Sequence, residues 1–239
     1  MPDSVRNGPW VLSMRWQDLL FAHWRVDAAI LRSRLPSGLE LDLHDGQAWL
    51  GVVPFQMCGV RPRLTPPIPG ISAFPELNLR TYVRAGGQAG VWFFSLDAAS
   101  RLAVRMARAT FHLPYFDAAM RCDVAADGSV RYASQRTHRG VVPAELRGRY
   151  RPVGPVFSAR PGTLEHWLTE RYCLFAADAQ GRLYRGDIAH APWPLQAAEA
   201  DLEVCRMTGL LGINLPSVPE HLLFARSLDV QAWWLTQVG

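Results

Sequence analysis

Between Glu76 and Val83 the chain reads ELNLRTYV, and this short stretch carries the densest set of reactive side chains. On a β-strand successive side chains face opposite ways, so Glu76, Asn78, Arg80 and Tyr82 share one face. Leu77, Leu79, Thr81 and Val83 share the other. Gly86-Gly87 supplies the positive φ that a tight hairpin needs, which pairs this strand with Gly90–Asp97. A loop of two or four residues places Ser95 and Asp97 on the polar face as well, whereas a three-residue loop breaks that parity. Two carboxyls, an arginine, an amide and hydroxyls suit recognition and polarisation of a small polar molecule. The arginine can hold a carboxylate bidentately, and a carboxyl beside another acid can trade protons near neutrality. The same composition also suits an ordinary solvated sheet face with cross-strand ion pairs.

Other candidates are more scattered. Tyr115 follows Pro114 and is a possible hydrogen-bond donor or a half-buried packing residue. Arg101, Arg105 and Arg108 fall on one helical face, which reads as solvated. Arg171 borders an apolar helical stripe, and a buried arginine needs a carboxylate, so it reads as a brace. His190 sits in the rigid turn HAPWP. The seven histidines show no HxH, HxxxH or HExxH spacing, so no metal site is expected, and no cofactor motif appears. GxSxG and GxGxxG are absent.

These side chains must be held by strands. Gln47–Val60, Glu76–Arg84, Gly90–Asp97, Ala118–Ala125, Ser129–Gln135, Arg182–Ala189 and Leu222–Trp233 are β-rich or alternating. Helices are expected at Ala28–Leu35 capped by Asp27, Arg101–Thr110 capped by Ser100, and Leu164–Ala176 capped by Thr163. Pro62–Pro75 cannot be a helix or a central strand and reads as a long ordered loop or flap. The pattern predicts one α+β domain over residues 1–239, with a mainly antiparallel sheet that closes on itself.

Composition excludes whole classes of chemistry. All 25 basic residues are arginine. Without lysine there is no side-chain amine for imine catalysis and no phosphate-loop lysine. Net charge is +4, with the positive excess concentrated at 135–160, where six arginines face Glu145 alone. Only Tyr150 and Phe157 interleave there, so a solvated arginine-rich loop is preferred over a footprint for nucleic acid or another polyanion. Cys58, Cys122, Cys173 and Cys205 are far apart and read as core thiols of a reducing compartment. No apolar run approaches a bilayer span, and no signal segment is visible, so a cytoplasmic protein without membrane association is expected. Self-association is left open.

Several segments together resemble the YqjF-like family of uncharacterised bacterial proteins. WQDLLFAHWRV, LPSGLELDLHDGQAWLGVVPFQM, FPELNLRTYVR, GVWFFSLDA, ARATFHLPYFDAAM, LTERYCLFA and HAPWPLQ carry the likeness, from about Arg15 to Trp233. The resemblance implies an acetoacetate decarboxylase-like fold, a strongly curved, barrel-like and mainly antiparallel sheet enclosing a small-molecule cavity with a few peripheral helices. That enzyme's signature is similar to Gly-Arg-Glu-x-x-Gly-Tyr-Pro-Lys, against Ala107-Arg108-Ala109-Thr110-Phe111-His112-Leu113-Pro114-Tyr115 here. Arg108 and Pro114 keep their spacing, while Tyr115 stands where the imine-forming lysine would be. Glu76 also resembles the decarboxylase's cavity acid. The expected site is therefore Glu76 as general base and Tyr115 as proton donor, with Asn78, Arg80, Tyr82, Ser95 and Asp97 binding a small carboxylate. Whether the site catalyses a lysine-independent lyase, isomerase or hydratase reaction, or only senses or carries its ligand, the sequence leaves open.

Overall fold

The computed structural model describes residues 8–70 and 72–238. Its first strand, β1 (Leu12–Val26), leads through the short helix α1 (Ala28–Arg32) and β2 (Glu40–Leu41) to β3 (Ala48–Pro62). The hairpin β4 (Phe74–Ala85) and β5 (Gln88–Ala98) follows, then α2 (Arg101–Phe111), β6 (Tyr115–Val124), β7 (Val130–Arg136) and β8 (Glu145–Phe157). Helix α3 (Leu164–Thr169) precedes β9 (Cys173–Ala177), β10 (Leu183–Ala189) and β11 (Leu195–Arg206). A 3₁₀ turn (Thr208–Leu211), β12 (His221–Ala232) and β13 (Thr236–Gln237) complete the described elements.

The strands close into a ring. Because β4 pairs with both β3 and β5, the path β4-β5-β6-β7-β8-β11-β12-β1-β3 returns to its start. Pairing is antiparallel except that β5 runs parallel to β6 through its C-terminal half and to β9 through its N-terminal half. Strand β12 divides similarly, meeting β11 near its start and β10 near its end. The shared wall of β1, β3 and β4 is therefore covered on both faces, which explains its near-continuous apolar runs. One face packs Leu20, Trp24, Leu50, Leu77 and Leu79 against Tyr132, Leu146 and Tyr150. The other packs Phe21, Val53, Phe55 and Tyr82 against Phe93, Leu168 and Trp193.

Several expectations are corrected. The helix after Thr163 ends at Thr169, not Ala176, since Cys173–Ala177 pairs as β9 with β10. Half of the arginine-rich segment is strand β8, not a loop, with Leu146, Gly148 and Tyr150 turned inward and Arg147, Arg149 and Arg151 outward. Asp27, Ser100 and Thr163 cap their helices as expected, each side chain accepting from a first-turn N–H. Among the described residues, no helix is long and apolar enough to cross a membrane.

Candidate functional site

Glu76 and Tyr115 meet inside the wall. The Tyr115 hydroxyl donates to Glu76 Oε2 at 3.0 Å, and the two residues are only 9% and 2% exposed. Local geometry fixes the phenol. His112 caps α2 in the left-handed conformation (φ 49°), and Pro114 gives its carbonyl to the Leu96 amide at 3.0 Å. Arg108 then donates to the Tyr115 carbonyl at 2.8 Å. The arginine and proline flanking this position thus set the path of the backbone.

Burial governs the charge states. It pushes the Glu76 carboxyl up to about 7, against hydrogen bonds from Tyr115 and Asn78 that favour ionisation, with a further push from Asp97. Burial, then the charge of Glu76, holds the Tyr115 phenol well above its ordinary range, so it stays a donor. A carboxyl that titrates near neutrality beside a protonated phenol can take up and return a proton.

Arg80 lies two residues beyond Asn78 on the same face. In its row His23, Gly51 and Arg80 are direct neighbours on β1, β3 and β4. Arg80 donates to the carbonyl oxygen of Leu168 at 3.2 Å and to the Tyr82 hydroxyl at 3.5 Å, and its guanidinium lies over Phe21. Among the described residues it has no carboxylate partner. Tyr82 bonds His23 Nε2 at 2.6 Å and donates to Leu168 at 3.0 Å. His23 is fully buried, and burial, then the charge of Arg80, lowers its pKa well below the ordinary histidine value. No spacing rule singled out His23. Its signal was a histidine inside the apolar run LLFAHW, where a polar side chain needs a reason.

Ser95 and Asp97 are corrected to the opposite face. The two-residue turn sets Arg80 against Phe93, but a bulge between Arg80 and Leu79 then adds Phe94 and reverses the alternation. Ser95 falls opposite Leu79 and Asp97 opposite Leu77. There Asp97 forms a bidentate ion pair with Arg136 at 2.6 and 2.8 Å, both side chains 1% exposed. Arg136 is thus withdrawn from the basic stretch. Arg147 and Arg151 are paired with Glu203 and Glu199, although Arg149 is not. Arg171 braces the fold through Asp42 at 2.7 Å. His190 is buried and stacks on Tyr172 with ring centres 4.6 Å apart.

A surface cleft of about 820 Å³ opens beside this interior. Its lining includes Arg15, Gln17, Cys58, Arg61, Pro67 and His190. Trp16 stands between cleft and site: Arg15 and Gln17 line the cleft, while the indole packs on Phe55, the strand partner of Glu76.

A closed ring of strands with this connectivity defines an acetoacetate decarboxylase-like fold. Acetoacetate decarboxylase from Legionella pneumophila superposes with TM-score 0.64 at 13% identity, covering 100% of this chain and 92% of that one. The enduracididine biosynthesis enzyme MppR complexed with pyruvate gives 0.65 at 13% identity, covering 99% and 93%. The chain itself belongs to the DUF2071 family, described as an uncharacterized conserved protein, which it matches over residues 13–229. Within that relationship it is 47% identical over 230 residues to the uncharacterized protein YqjF of Bacillus subtilis (strain 168), covering 96% of this chain and 93% of YqjF.

Proposed function

We propose that this protein binds a small oxo or hydroxy acid and moves a proton on it without an imine. The observation that carries this reading is the buried 3.0 Å contact between Tyr115 and Glu76 in a chain without lysine. Ionised Glu76 takes a proton from the carbon next to the ligand's carbonyl. The C–H electron pair moves toward the carbonyl oxygen, and the Tyr115 hydroxyl, released from Glu76, donates to the resulting enolate. Return of the proton to the same carbon completes an exchange, and its return to another atom of the enolate completes an isomerisation; in a lyase or hydratase step the enolate instead re-forms its carbonyl and expels a β-hydroxyl, which leaves as water with the proton that Glu76 took up. Asn78 lies between Glu76 and Arg80 on the strand, and Arg80 receives the carboxylate. The pyruvate bound by a protein of this fold supports the ligand class. Four free thiols suit a cytoplasmic setting.

The test is deuterium incorporation beside the keto group of 2-oxobutyrate in heavy water, followed by proton NMR. The wild-type protein should exceed the buffer rate. Tyr115→Phe should lower the enzymatic rate by about 10²–10³, as loss of one oxyanion donor does. Glu76→Gln should abolish it, and Arg149→Ala should leave it unchanged. Binding without exchange would instead identify a sensor or carrier.

A further inference from the structure

We infer that the cleft beside the proline-rich flap is a second ligand site, which takes an amphipathic acid and holds its anionic head on Arg61. The inference stands apart from proton transfer at Glu76, because neither Glu76 nor Tyr115 lines this space.

The cleft exists because β12 changes partners. Its edge away from β1 pairs with β11 as far as Ala225 and with β10 from Gln231 onward. Where β10 and β11 diverge, a space of about 820 Å³ opens along Asp229, Val230 and Gln231, with Ala189 and His190 from the end of β10. Val230 and His190 line it although they are only 1% and 5% exposed, so the cleft has depth. Pro67 brings the flap to its rim. The base of the flap is tied down, since the Val60 amide donates to the Ser72 carbonyl at 3.0 Å and that of Arg63 to the Val11 carbonyl at 2.9 Å. Spaces of about 300–1,000 Å³ hold drug-sized ligands, so a short acid alone would fill little of this one.

Its charge is uncompensated. Two rows cross β12, β1 and β3 on one face and line the cleft: Gln231–Ser13–Arg61 and Asp229–Arg15–Cys58. A bulge at Gly59 and Val60 keeps Arg61 on the face of Cys58. Asp229, the one acid of the lining among the described residues, is engaged by Arg15 at 2.7 and 3.3 Å. Arg61 has no carboxylate partner among the described residues. Its half-buried guanidinium is held over Trp10, 5.4 Å from the ring centre, and donates to the Thr65 carbonyl at 3.4 Å. Neither contact neutralises it, and Arg63 on the same ring adds a second positive charge. A cation fixed in this way on the wall of a cleft attracts an anion.

The remaining lining decides what the anion is attached to. Met14, Val230, Ala189, Pro67 and the Cys58 thiol are apolar, which suits a hydrocarbon body. The head lies on Arg61 and the chain over Met14 and Val230.

The experiment is calorimetry on the full chain with octanoate, octyl phosphate, octylamine and butyrate, each below its micelle concentration. Octanoate or octyl phosphate should bind at least about tenfold more tightly than butyrate, a factor that two further buried CH₂ groups supply. The tighter of the two tells a carboxylate head from a phosphate head. Octylamine, with the same chain and the opposite charge, should not bind. Arg61→Gln should weaken the tighter acid by about tenfold or more, the effect of losing one charge-assisted hydrogen bond. Arg149→Ala removes an equal charge elsewhere and should leave that affinity unchanged. Spectra of methyl-¹³C-methionine protein locate the ligand in the wild type, with Met14→Leu assigning the resonance: the Met14 methyl should move with the acid. No preference over butyrate, octylamine binding as tightly, an affinity that survives Arg61→Gln, or an unmoved Met14 methyl would each overturn the inference. Exchange into 2-oxobutyrate is measured separately, so the proton-transfer reading stands or falls independently of these results.

Discussion

Tyr115 begins β6 and Glu76 lies near the start of β4, yet the phenol hydroxyl donates to the carboxyl at 3.0 Å inside the protein. Burying that carboxyl is costly for the fold, and the phenol's hydrogen bond offsets only part of the cost. A carboxyl raised to about 7 stays protonated in the native state over a range where the unfolded chain has already ionised.

The first prediction follows from that cost. Stability attributable to Glu76 is fully present below its unfolded value of 4.5 and is lost as pH rises toward about 7. Above that range the penalty is constant, at about 3 kcal/mol for a shift of this size. Glu76→Gln should therefore be more stable than wild type at pH 8 by about 2–3 kcal/mol, and no more stable at pH 4. Urea unfolding at the two pH values measures the difference.

Asp97 and Arg136 should behave as structure alone. Removing one partner strands a buried charge, so Asp97→Ala or Arg136→Ala should cost about 3–5 kcal/mol. The double replacement Asp97→Leu with Arg136→Met should recover most of that loss. Thermal denaturation of the three variants checks the cycle, and 2-oxobutyrate exchange should persist in the double variant, with its pH dependence shifted down because the push of Asp97 on Glu76 is gone.

The legibility of the sequence varied with the physics of each segment. Alternation exposed the face of Glu76, Asn78 and Arg80, and Gly86-Gly87 marked its turn correctly. It did not reveal the bulge at Phe94, because an extra residue in a uniformly apolar run (VWFF) leaves no trace in the pattern. Ser95 and Asp97 were consequently misplaced. Strand β1 was missed because burial on both faces removes alternation from LLFAHW. Strand β11 was missed because alanine and glutamate in LQAAEADLEV favour a helix. The shortened α3 has a similar origin: Cys173–Ala177 is apolar and short, and its period alone does not separate strand from helix.

Gly51 should tolerate no side chain. Gly51→Ala would place its methyl against His23 and Arg80, and overpacking of this kind costs about 1–3 kcal/mol. The melting temperature of Gly51→Ala should fall, which thermal denaturation measures.

The basic stretch should not act as a polyanion site. Asp97 already neutralises Arg136, and Glu203 and Glu199 neutralise Arg147 and Arg151. Heparin at physiological salt should leave the melting temperature unchanged, and Arg149→Ala should make no difference. A heparin-dependent rise lost in Arg149→Ala would reverse this assignment.

The central claim is that Glu76 is a proton carrier at neutral pH, held by Tyr115. The most direct measurement is a ¹³C NMR titration of the glutamate side-chain carboxyls, with Glu76→Gln assigning the resonance. Glu76 should titrate with a midpoint near 7. In Tyr115→Phe that midpoint should move higher still, because the phenol's hydrogen bond favours the ionised form. A midpoint in the ordinary carboxylate range, or one indifferent to Tyr115→Phe, would contradict it.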